Sequence, residues 1–261
     1  MRRADLADFI TAHAIEAIAR ASAPTEPFRH LRLANVFPLE VYEAMRAAMP
    51  DAAAYRPMSG RAREARRADG SPTRTKLHLL PEVVRRMPRE QREIWSAVGR
   101  AMCSATVRDA FIERLAPGLE TRFGQGYRSV DFYPIPILTR DVRDYSIGIH
   151  PDTRHKAMTI QLYLPRDESI SHVGTRFHRR LQGKQYETVC QVPFMPNSGY
   201  AFAVGTDTYH SLDRLGPEVT TRDSILLTYF VDDTVWYKIS NRTKRFGNLL
   251  AGEARRVLPR R

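Results

Sequence analysis

Apolar positions follow two different rhythms along the chain. From Ala4 to Ala21, Leu6, Phe9, Ile10, Ala14, Ala17 and Ile18 recur at helical spacing and predict an amphipathic packing helix ending before Pro24. Phe28 to Phe37 reads as a strand, and Pro38 as the first position of a helix through Met49. Between Asp51 and Thr75 large apolar residues thin out while Arg, Gly, Ser and Pro accumulate, which predicts a long exposed loop able to act as a lid. Helical spacing returns from Glu82 to Leu115, broken at Pro88, with Ile94, Trp95, Val98, Met102, Val107, Phe111 and Leu115 on the core face.

After Gly118 short β-branched and aromatic runs alternate with turn residues. They predict strands near Arg122–Tyr133, Tyr145–His150, Ala157–Leu164, Thr175–His178, Tyr186–Phe194, Tyr200–Val204 and Ser224–Val231, with turns at Gly124/Gly126, Gly183 and Pro196–Gly199. Many short strands without intervening helices indicate an antiparallel barrel or jelly roll: a mainly β protein with α, its N-terminal helices packed on the sheet. The expected organisation is one compact domain. Residues 1–118 form a helical and strand support carrying the Arg-rich loop 51–75, residues 119–237 the jelly-roll catalytic core, and residues 238–261 a basic tail with room for a short helix from Phe246 to Val257.

Composition narrows the function. The chain has 261 residues, 43% of them hydrophobic, enough for a full core. No run of eighteen apolar residues occurs and the first residues lack the apolar centre of an export signal, so the expectation is a cytoplasmic protein without a membrane span. Cys103 and Cys190 suit neither a disulfide framework nor a C-x-x-C site. The net charge of +12 invites a nucleic-acid reading, but the excess is concentrated in Arg56–Glu93 and Lys238–Arg261. The rest of the chain is close to neutral, so a solvated basic face is preferred to an anionic partner.

The chemistry gathers around Tyr145-Ser-Ile-Gly-Ile-His150-Pro-Asp152. An imidazole and a carboxylate two residues apart at a strand end suit one metal ion. His210, 58 residues beyond Asp152 and just after the strand Gly199–Val204, is the candidate third ligand, since the opposite sheet of a jelly roll can return it to the same place. Two imidazoles and one carboxylate leave open positions on an iron. Twelve residues past His210, Arg222 and Ser224 share one face of a strand, as required to hold a buried carboxylate through a bidentate pair and a further hydrogen bond.

With these residues in view the chain resembles the Fe(II)/2-oxoglutarate-dependent dioxygenases with a double-stranded β-helix core. His150, Asp152, His210, Arg222 and Ser224 match the family's H-x-D…H…R-x-S pattern, and the likeness covers about Arg122 to Asp232. It includes the Thr-Ile-Gln-Leu-Tyr-Leu-Pro strand after the first motif and Met195-Pro-Asn-Ser-Gly-Tyr-Ala-Phe ahead of the distal histidine. Asp131-Phe-Tyr133-Pro is similar to an Asn-Tyr-Tyr-Pro element of plant-type members whose second tyrosine contacts the cosubstrate. Asp131 departs from it, so only Tyr133 carries over. The resemblance implies Fe(II) held by His150, Asp152 and His210, 2-oxoglutarate held at its far carboxylate by Arg222 and Ser224, and dioxygen as oxidant. The implied reaction is hydroxylation of a C–H bond with release of succinate and CO2. Related halogenases lack the carboxylate that Asp152 provides, which favours hydroxylation or desaturation.

Arg140, Asp144 and Arg154 flank the metal motif and are candidates for binding a polar small molecule, such as an amino acid or natural-product intermediate. His30 is read as structural; His13, His78, His155, His172 and His178 are read as surface residues or residues around the site, with His155 lining its entrance. Two alternatives stand beside this reading. One is a nucleic-acid demethylase of the same superfamily, disfavoured because the basic segments lack interleaved aromatics and Arg214 and Arg222 do not match the repair enzymes' paired arginines. The other is a cupin-like metal- or ligand-binding protein that is no oxygenase.

Overall fold

The central strands read as near-continuous apolar runs because their sheet is buried on both faces. The computed structural model describes residues 3–58 and 66–231. The N-terminal part carries α1 (Arg3–Arg20), β1 (Leu31–Ala34), α2 (Leu39–Ala47), β2 (Arg56–Pro57), β3 (Arg74–His78), α3 (Pro81–Val84), α4 (Arg89–Met102), α5 (Ala105–Arg114) and α6 (Ala116–Phe123). Then follow β4 (Phe132–Asp141), β5 (Ile147–His150), β6 (Lys156–Tyr163), β7 (Thr175–Arg180), β8 (Tyr186–Val192), β9 (Ser198–Ala203), β10 (Tyr209–Leu212) and β11 (Arg222–Val231). The basic tail, with the helix expected within it, lies outside the described residues, as does part of the Arg-rich loop.

Strands β4 to β11 divide between two antiparallel sheets. A seven-stranded sheet has the order β1-β9-β6-β11-β4-β3-β2, and a four-stranded sheet the order β5-β10-β7-β8. This is the double-stranded β-helix, or jelly roll. Side chains alternate across the large sheet. Leu138, Ile160, Leu162, Ile225, Leu227 and Tyr229 face outward into a core shared with Ile10, Trp95, Val98, Met102, Phe111 and Leu119 of the helices. On the inner face Tyr163, Tyr200 and Phe202 pack with Phe177, Val192 and Leu212 of the small sheet. Among the described residues no helix is long and apolar enough to cross a membrane.

The structure differs from the sequence reading at the entry to the barrel. The strand expected at Arg122–Tyr133 is instead α6 and a 3-10 turn, Gln125–Ser129, and the first barrel strand runs on through Pro134 and Pro136 to Asp141. Prolines argue against a central strand because they donate no ladder bond. Here the Pro136 carbonyl accepts from the Leu79 amide, so its missing N–H also points toward the end of β3, not into the β11 ladder. The segment 51–75 likewise contains more than a loop: β2 lies within it and β3 begins in it, and with β1 they extend the large sheet at both edges.

Two residues of the Pro196–Gly199 turn lock the barrel to its N-terminal part. Asn197, at φ 51, accepts from the Phe37 amide (2.9 Å) and donates to the Phe37 carbonyl (2.7 Å). A Cβ on Gly199 would lie 2.1 Å from the Gln161 carbonyl oxygen, so only glycine lets β9 approach β6.

Candidate active site

His150 is the last residue of β5 and pairs in register with His210 of β10, which puts the two rings side by side with centroids 4.4 Å apart. Asp152 follows two residues later in the loop to β6. One potential ligand atom from each of the three residues lies within 4.8 Å of the others. The distal histidine follows β9, as expected, and lies in a further short strand, Tyr209–Leu212, that is too short to be read from its pattern.

Hydrogen bonds prepare these groups for a cation. His150 Nδ1 lies 2.8 Å from the Gly148 carbonyl, and His210 Nδ1 lies 3.1 Å from the Thr208 carbonyl. A carbonyl only accepts, so each Nδ1 carries a proton. Burial pushes the His210 imidazole down to about 4, even with the Asp152 carboxylate beside it, so it is neutral at physiological pH. Burial alone would raise the pKa of Asp152, but the Lys156 ammonium and the nearby His210 and Thr159 outweigh this and hold it below the ordinary carboxylate range. Lys156 Nζ donates to Oδ1 (2.6 Å) and Thr159 Oγ1 to Oδ2 (2.6 Å), which fixes the carboxylate's orientation. Two imidazoles anchored at Nδ1 and an oriented carboxylate, with no fourth ligand in the group among the described residues, suit an octahedral cation that keeps open positions.

Below this triad the inner face of the large sheet is polar. Thr159 pairs with Thr228, and four residues along β11 Ser224 pairs with Thr139 and Tyr163. Ser224 Oγ hydrogen-bonds Thr139 Oγ1 (2.7 Å) and accepts from Gln161 Nε2 (2.9 Å), while Tyr200 donates to Gln161 Oε1 (2.7 Å). Arg222 faces inward like Ser224, as its spacing requires. Its guanidinium is ion-paired with Asp141 (3.0 Å), donates to the Val173 carbonyl (2.8 Å) and lies over the Tyr163 and Phe194 rings. Tyr133 is also on the inner face, stacked on Phe230 at 5.8 Å.

Of the three residues proposed for substrate, two are engaged by other parts of the chain. Arg140 points to the outer face of β4, where it binds Asp223 (2.7 Å) and the Pro50 carbonyl (3.2 Å) and covers Tyr55. Asp144, at φ 74 in the β4–β5 turn, is held by Arg67 and Arg214 beside a surface cleft of about 610 Å³. Arg154 is exposed in the loop between Asp152 and β6, its carbonyl taken by Arg122. His178 is not at the surface: it is buried between Ser211 (2.7 Å) and Thr188 (3.1 Å). Sequence reasoning missed Lys156, Thr159, Thr139 and Asp141. Strand parity gives the signal for the last two, once β4 is known to continue past its prolines.

No protein-family model matches the sequence, and no curated protein does. Among solved structures the chain is similar to a prolyl-4-hydroxylase from Pseudomonas putida, with 14% identity, a TM-score of 0.49, and coverage of 85% of this chain and 98% of that one. A prolyl hydroxylase from Trichoplax adhaerens, in complex with a hypoxia-inducible-factor peptide, is 9% identical with a TM-score of 0.48, covering 87% and 91%. A member of the 2OG-Fe(II) oxygenase family from Burkholderia pseudomallei is 13% identical with a TM-score of 0.44, covering 88% and 90%. The functional reading rests on the chemistry of the site itself.

Proposed function

We propose that this protein is an Fe(II)- and 2-oxoglutarate-dependent dioxygenase that hydroxylates a C–H bond of a small molecule. The observation that carries the reading is the His150, Asp152 and His210 group, with ligand atoms within 4.8 Å and both histidine tautomers set by backbone carbonyls. When bound, Fe(II) supplies the oxygen activation that couples decarboxylation of 2-oxoglutarate to substrate oxidation. One atom of dioxygen goes to succinate and one to the product alcohol, with CO2 released.

The chain's own contribution is position and environment. His150 and His210 are each anchored through Nδ1, and Thr159 and Lys156 fix the orientation of the Asp152 carboxylate beside them. Arg222, with the Ser224 and Thr139 hydroxyls, gives the inner face a cationic and hydrogen-bonding end for the far carboxylate of the cosubstrate. Tyr133 and Phe230 form an aromatic wall on the same face. A small-molecule substrate, such as an amino acid or natural-product intermediate, is preferred to nucleic acid because the basic segments lack interleaved aromatics.

The test is succinate formation by the full-length protein with Fe(II), 2-oxoglutarate and air, followed by an untargeted metabolite screen for mass gains of one oxygen. Fe(II)-dependent succinate and an oxygenated product support the proposal. Metal binding without any decarboxylation favours a cupin-like binding protein instead, and salt-dependent oligonucleotide binding with demethylation favours the nucleic-acid alternative.

A further inference from the structure

Strand β3 lies outside the eight barrel strands, yet it delivers a charge to their interior. Arg74 of β3 is in register with Asp141 of β4, and Asp141 with Arg222 of β11, so the three side chains form one row on the inner face of the sheet. Asp141 and Arg222 are fully buried and the Arg74 side chain is only 11% exposed. A single carboxylate serves both guanidiniums, at 3.0 Å from Arg222 and 3.3 Å from Arg74.

Among the described residues the remaining partners of the row are neutral. Arg222 meets the Val173 carbonyl, Thr175 Oγ1 (3.4 Å) and the Tyr163 and Phe194 rings. Arg74 donates to the Tyr145 hydroxyl and lies over the same ring. The adjacent acid, Asp223, points to the outer face and is held by Arg140 and Thr221. The row therefore carries two cations and one anion. Arg222 alone neutralises Asp141, so the second guanidinium leaves one unit of buried positive charge, a costly arrangement unless an anion completes it.

We infer that Arg74 is a second cationic anchor for the far carboxylate of the keto-acid cosubstrate, acting with Arg222 across the shared Asp141. The inference rests on the oxygenase reading above. The Ser224 and Thr139 hydroxyls, one row nearer the triad, offer the neutral hydrogen bonds that such a carboxylate also uses. Arg74 binds through excess charge, so the count of charges in the row sets the affinity.

Calorimetric titration of the full-length, Mn(II)-loaded protein with 2-oxoglutarate and with 2-oxobutyrate, which keeps the keto acid but lacks the far carboxylate, isolates this end of the ligand. Wild type is expected to prefer 2-oxoglutarate by about two orders of magnitude, as for a carboxylate held by charge-assisted bonds. Arg74→Met is expected to cut that preference at least about tenfold and leave 2-oxobutyrate binding unchanged. The double variant Arg74→Met with Asp141→Asn, which restores one net positive charge, regains most of the preference. Asp141→Asn alone raises it above wild type, and this arm decides the matter if Arg74→Met does not fold. A preference unchanged in Arg74→Met, a double variant no better than the single, or a fall in Asp141→Asn overturns the inference. Wild-type protein that binds neither keto acid overturns the oxygenase reading and this inference with it.

Discussion

His150 and His210 stand directly opposite one another across the β5–β10 ladder, so a single antiparallel pairing sets half of the candidate metal site. The third ligand is positioned otherwise: Asp152 sits in a loop, and its orientation depends on Lys156 and Thr159. Thr159→Val and Lys156→Met are therefore expected to weaken divalent-metal affinity by about 10- to 100-fold each, the usual cost of removing a group that orients a ligand. Manganese binding followed by electron paramagnetic resonance measures this. Wild-type affinity in both variants removes the orienting role.

His30 is fully buried against Phe28 and Phe177, with Nδ1 bonded to the Phe28 carbonyl and Nε2 without a hydrogen-bond partner. Burial lowers its pKa from the ordinary value of 6.5. The unfolded chain then binds a proton more readily than the folded one. The stability tied to neutral His30 is complete above about pH 6.5 and is lost as pH falls toward the depressed folded value. His30→Leu should flatten the fall of melting temperature between pH 6.5 and 5, whatever it does at pH 7.5. Equal slopes in variant and wild type would assign the pH dependence to other groups.

Gly199→Ala tests the close approach of β9 to β6. A methyl 2.1 Å from the Gln161 carbonyl forces the strands apart, at a cost of about 3 kcal/mol in urea unfolding, the upper range for overpacking. A loss under about 1 kcal/mol would mean that the ladder yields easily.

Asn197→Ala removes both bonds to the Phe37 backbone and places alanine at φ 51. The expected loss is about 2 to 4 kcal/mol, since two buried backbone groups are left unsatisfied. Equilibrium denaturation provides the number, and a neutral result would show that another group takes over the link between the barrel and α2.

The two motifs most visible in the sequence, His150-Pro-Asp152 and Arg222-Asp-Ser224, were legible because their residues lie two apart, at a strand end in the first and on one strand face in the second. The barrel class was legible too, from the run of short strands after Gly118. What stayed hidden depended on pairing between distant strands. Asp141 lies beyond Tyr133, where the expected strand ends, and its partner Arg74 lies in a stretch rich enough in Arg and Gly to read as loop. Arg140 looked available for substrate because its neighbourhood in sequence is the metal motif. Parity turns it to the opposite face, onto Asp223. Asp144 is drawn away in the same manner, by two arginines far from it in sequence.

The central claim is that His150, Asp152 and His210 form one metal site that supports oxidation driven by 2-oxoglutarate. Succinate formation under air by wild type and by His150→Ala, Asp152→Ala and His210→Ala, each with and without Fe(II), tests it most directly. The expected result is succinate only from wild type and only with Fe(II) present, all three variants staying at background; turnover that ignores Fe(II), or persists at the wild-type rate in any of the three, would contradict it.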